Sequence, residues 1–100
     1  MDHLEYEVLS SLEAGRSVFR PRVLSPEAQQ AFVELMGLLL RLRREGHVWF
    51  PDGRISKTEA GTYLAVGPVD LTESGRAALT SDRRLGERPG RTYDRLWRLD

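Results

Sequence analysis

The chain is 100 residues long, one domain's worth of material, and at 40% hydrophobic and 30% charged it can bury a core of its own. That balance excludes a collagen-like or disordered chain. Fifteen basic side chains offset fifteen acidic ones, so composition alone announces neither a nucleic-acid nor a membrane partner; the lack of cysteine excludes a disulfide framework, a thiolate zinc site and a cysteine nucleophile.

The longest strictly apolar run, Leu38-Leu39-Leu40, is far too short to span a bilayer. The first residues are acidic (Asp2, Glu5, Glu7) and carry no apolar h-region, so no secretory signal is read there and the chain is expected in the cytoplasm. Of the cations only Lys57 is lysine, an arginine bias that more often reflects GC-rich coding than chemistry. Charge is blocky although it sums to zero. Residues 1–15 carry −4 (Asp2, Glu5, Glu7, Glu13) and 16–22 carry +3 (Arg16, Arg20, Arg22). Pairing between blocks is the plainer reading of that segregation, a local phosphate-binding patch the sharper one.

Leu4, Val8, Leu12 and, a step round, Leu9 predict a helix over 3–14, with Gly15 as its C′ residue. Segment 16–24 is rich in β-branched and aromatic residues, but Pro21 limits it to a short edge strand or an extended linker. Ser25 as N-cap, Pro26 at N1 and Glu27 in the first turn open a long helix over about 26–45 that Gly46 closes. Its apolar stripe is Ala28, Phe32, Leu35, Leu39 and Leu42; a polar row of Glu27, Gln30, Glu34, Gly37, Arg41 and Arg44 lies opposite.

Residues 47–50 read as a strand, Pro51-Asp52-Gly53 as a turn, and 54–61 as a loop, although Ser56 with Glu59 also spells a capping box. Residues 62–71 read as the returning strand, with a bulge or bend at Gly67-Pro68. Thr72 with Glu73 caps a last short helix over 73–80. The segment 81–100 is a charged C-terminal tail in which Tyr93, Leu96 and Trp97 can make a final amphipathic turn. The expected core is Leu4, Val8, Leu12, Phe32, Leu35, Leu39, Leu42, Val48 and Leu71, with Trp49 and Phe50 as further core residues.

Two stretches carry a resemblance. Leu38 to Val48 (LLLRLRREGHV) resembles the end of the recognition helix of winged helix-turn-helix regulators, where basic residues and Glu-Gly lead into the first wing strand. Val69 to Leu79 (VDLTESGRAAL) is similar to the "Leu-Thr-x-x-Gly-Arg-x-x-Leu" stretch that follows the second wing strand in MarR- and PadR-type members. The resemblance implies an α+β winged-helix domain over 1–80: helix, extended segment, long helix, two-stranded wing, short helix. Only 16–24 separates the first helix from Ser25, so the positioning helix of such regulators is either degenerate or fused into the long helix.

The function this implies is binding of double-stranded DNA by a small transcriptional regulator or accessory protein. On the wing, Arg54 and Lys57 would reach phosphate or a minor groove. Gln29 and Gln30 would face bases, while Arg41, Arg44, Arg20 and Arg22 would touch backbone. The alternative is a non-enzymatic protein-interaction module on the same frame, favoured by the acidic start of the long helix. Trp97 needs covering, by its own domain or by a second subunit; a homodimer through terminal elements is the expectation. Catalysis is not expected: His3 and His47 are the two imidazoles, 44 positions apart, and the acids of the first helix are spaced for a solvated face. His47 is read as a structural or surface residue, and no cofactor or metal is implied.

Overall fold

The structure is a computed structural model that describes residues 3–85 and 97–99. Three helices, α1 (His3–Glu13), α2 (Pro26–Arg44) and α3 (Glu73–Leu85), pack with short antiparallel strands in an α+β arrangement. The strands are β1 (Phe19–Pro21), β2 (Val48–Trp49), β3 (Ile55–Lys57), β4 (Tyr63–Val66), β5 (Asp70–Leu71) and β6 (Trp97–Leu99).

Local chemistry explains the helix ends. The Ser25 hydroxyl accepts from the Ala28 N–H at 3.1 Å, and Pro26 occupies the first helical position, where no N–H is needed. At the other end of α2 the His47 N–H reaches the Leu42 carbonyl and the Gly46 N–H the Arg43 carbonyl, with Gly46 at φ +83°. That is a Schellman termination, and α1 ends the same way: Arg16 N–H to Ser11, Gly15 N–H to Leu12, Gly15 at φ +95°. The Thr72 hydroxyl accepts from the Gly75 N–H at 3.0 Å and starts α3, which runs five residues beyond the expected Thr80.

The strands depart from expectation in three places. First, β1 is interior, in a four-stranded sheet ordered β3-β4-β1-β6. Pro21 is its last residue, and β4 pairs with β1 at Phe19↔Val66 alone, so the missing proline donor removes no ladder bond on that side. Second, residues 54–61 are not all loop. Ile55–Lys57 pairs with Tyr63–Val66 as a hairpin, its tip closed by Thr58 N–H to the Thr62 carbonyl and Thr62 N–H to the Thr58 hydroxyl. The Ser56–Glu59 capping box caps no helix. The returning segment breaks at the cis Gly67–Pro68 bond into β4 and β5, and β2 pairs with β5 in a separate two-stranded sheet (Val48↔Leu71, Trp49↔Asp70). Third, Trp97 belongs to a strand rather than a helical turn: β6 pairs antiparallel with β1.

The core gathers α1, α2 and the inner sheet faces. Val8, Leu12, Phe32, Leu35, Leu39, Leu42 and Val48 are buried together as expected, with Leu4 and Leu71 half-buried at the margin. Phe19, Leu9, Met36, Leu38, Phe50, Val66, Val69, Leu79 and Trp97 complete it. Trp49 does not: it is 53% exposed, because Val48 takes the inward position of the two-residue strand and strand neighbours alternate. Trp97 is 6% exposed and lies tilted against Phe19, ring centroids 5.9 Å apart.

Candidate functional site

The long helix α2 places most of the sequence-selected residues, and it divides them. Gln29 is a structural clamp. Its Nε2 donates to the Tyr63 carbonyl and its Oε1 accepts from the Tyr63 N–H, both at 2.8 Å, so the amide completes the edge of β4 as a neighbouring strand would. Arg41 donates to Glu5 of α1, and its Nε finds Glu45 at 4.0 Å. Gln30 and Arg44 are exposed, as are Glu27 and Glu34 on the same face. Among the described residues, no side chain pairs with Glu27, Glu34 or Arg44.

The hairpin cations are also divided. Arg54 donates to the Pro68 carbonyl at 2.7 Å and lies 3.3 Å from the Asp70 carboxylate, which ties the 3-10 turn Asp52–Arg54 to β5. Lys57 is exposed at the end of β3, its ammonium 5.4 Å from the centre of the Tyr63 ring. On the four-stranded sheet Arg20 pairs in register with Arg98, and Arg22 is exposed in the bend after β1. The eight selected residues therefore divide: Gln29, Arg41 and Arg54 bind other parts of the chain, while Gln30, Arg44, Lys57, Arg22 and, on β1, Arg20 are exposed.

Two further groupings escaped sequence reasoning. Arg43 bonds the Phe50 carbonyl and Asp52, both at 2.9 Å, and lies over the Phe50 ring at 4.8 Å, fastening the end of α2 to the turn. The conspicuous basic cluster Arg41-Arg43-Arg44 gave no signal that its middle member points inward. His47 Nδ1 lies 2.9 Å from the Ser74 hydroxyl, and its Nε2 is 4.0 Å from Glu45. That order resembles a nucleophile, base and acid, but Glu45 stands beyond hydrogen-bond reach and Ser74 and Glu45 are on open surface. The contact instead ties the end of α2 to the start of α3, alongside Thr72, whose hydroxyl donates to the Gly46 carbonyl.

Gly75 belongs to the same junction. A Cβ there would collide with the His47 carbonyl oxygen and lie 2.8 Å from Leu71 Cδ1, so α3 can approach this closely only with glycine at that position. The Leu-Thr-x-x-Gly pattern thus has a local structural role.

No group of three or more His, Asp or Glu side chains that could hold a metal occurs among the described residues, and no described helix is long and apolar enough to cross a membrane. Set against protein-family models, curated proteins and solved structures, the chain matches none.

What remains is a surface. On α2, Glu27, Gln30, Val33, Glu34, Gly37 and Arg44 are exposed in one band, Val33 at 48%, with Leu40 and Arg41 half-buried at its margin. Glycine within an exposed helical face is destabilising by roughly 1 kcal/mol relative to alanine, and here no atom lies within 4 Å of where its Cβ would be.

Proposed function

We propose that the chain is a non-enzymatic protein-interaction module, on a winged-helix-like frame, that works through the outward face of α2. The observation that carries the reading is the composition of that face. An uncovered aliphatic side chain, a glycine and unpaired acids next to an unpaired arginine suit a protein surface better than a phosphate backbone, which Glu27 and Glu34 would repel. The order α1, β1, α2, hairpin, α3 supports the winged-helix-like frame, with one departure: residues 14–25 hold no helix, so there is no separate positioning helix before α2. A core that needs no disulfide suits the cytoplasm.

One observation favours the second reading, a small DNA-binding regulator or accessory protein: the β3–β4 hairpin, wing-like, carries exposed Lys57 beside its tip, and Arg44 and Arg22 are exposed elsewhere on the surface. Titration of mixed-sequence duplex at low salt separates the two. The protein-interaction reading expects no saturation below millimolar chain. Tighter binding that weakens when exposed Lys57 is changed to Glu, with a salt slope reduced by about one, would replace it with the DNA reading. A photo-crosslinker at Gln30 supplies the positive arm. The interaction reading expects a discrete protein adduct that Glu34→Arg abolishes.

A further inference from the structure

We infer that α2 pairs antiparallel with α2 of a second copy of this chain, about a two-fold axis beside Gly37. The inference rests on the protein-interaction reading and names its partner. Helical geometry sets out the face. Gln30, Gly37 and Arg44 are seven residues apart and run down its centre, with Val33 and Leu40 on one flank and Glu34 and Arg41 on the other.

A two-fold axis at Gly37 matches each position with one at nearly the same height on the opposite half of the second copy. With a rise of about 1.5 Å per residue, Val33 lies about 6 Å from the axis and Leu40 about 4.5 Å on the other side. Glu34 and Arg41 lie at about 4.5 Å and about 6 Å, and Gln30 and Arg44 both at about 10.5 Å. The two-fold operation keeps each flank on its own side, so Val33 of one copy meets Leu40 of the other, Glu34 comes beside Arg41, which Glu5 of its own chain already holds, and the Gln30 amide meets the Arg44 guanidinium.

The charge order selects the direction. Acids occupy the first half of the face (Glu27, Glu34) and cations the second (Arg41, Arg44). Antiparallel pairing therefore sets the acidic half of one face against the basic half of the other, whereas parallel pairing would bring the two acidic halves together and the two basic halves together. Gly37 at the centre lets the two backbones approach closely, which gives the glycine a use that offsets its low helix propensity.

The test is sedimentation equilibrium of the full chain from micromolar to millimolar concentration, at low and high salt. The expected result is a mass rising from one chain towards two, with weaker association at high salt. Gly37→Trp should abolish association with no loss of thermal stability, because the site is open and the helix propensity improves. Glu34→Arg should raise the dissociation constant at least about tenfold by setting like charges together. A chain monomeric at every concentration would overturn the inference, as would dimers that persist in both variants. Failure here leaves the wider reading testable, since an adduct from Gln30 to a different protein would sustain that reading while refuting self-pairing.

Discussion

Replacing Gln29 with Ala removes two hydrogen bonds at once and leaves the Tyr63 N–H and carbonyl without partners at the edge of β4. A buried backbone group left unsatisfied costs about 1–3 kcal/mol, and Tyr63 is half-buried, so water recovers part of that for each. The net expectation is about 2 kcal/mol, a fall in melting temperature of about 8–16 °C for a chain of this size. Urea denaturation followed by far-UV circular dichroism should show a lower midpoint with an unchanged slope. Gln29→Glu refines the test. Its carboxylate can accept from the Tyr63 N–H but sets a second acceptor against the Tyr63 carbonyl, so it should be as damaging at neutral pH. The deficit relative to the native chain should shrink in acid, where the protonated carboxyl regains a donor. A Gln29→Ala change of less than about 0.5 kcal/mol would refute the clamp, since that is the size of an ordinary surface substitution. Gln29 would then return to the set of residues free to face a partner.

Leu39→Ala, at a fully buried position in the core, should cost about 2–5 kcal/mol in the same denaturation assay; a value near zero would place the helix face wrongly. Gly75→Ala should lose about 3 kcal/mol, because the new methyl meets backbone at His47 that cannot step aside, and thermal melting reads it directly. The two tryptophans should separate by fluorescence: Trp49→Phe leaves the blue-shifted, poorly quenched emission of Trp97, and Trp97→Phe leaves the red-shifted, readily quenched emission of Trp49. Equal quenching of both would contradict the seating of β6 beside β1.

Most helix boundaries were legible in the residues. The Ser25-Pro26 start and Gly46 end of α2, the Gly15 end of α1, the Thr72 cap of α3 and the inward stripe Phe32, Leu35, Leu39 and Leu42 depend on contacts within a few positions, where backbone sterics and helical periodicity act directly. The exposed polar row of α2, on which the interaction reading stands, was legible for the same reason. Strand partnership was not, because strands of two to four residues carry almost no period of their own and take their neighbours from the whole fold. Hence β1 lies inside a sheet despite Pro21, β3 arises from a polar segment that reads as loop, and Trp97 and Trp49 exchange the places that hydrophobicity alone would assign. The fate of the polar side chains was likewise a tertiary decision. Whether Gln29, Arg41 and Arg54 meet a partner outside or a carbonyl and carboxylate within depends on Tyr63, Glu5 and Asp70, which lie 34, 36 and 16 positions away along the chain and are brought near only by folding.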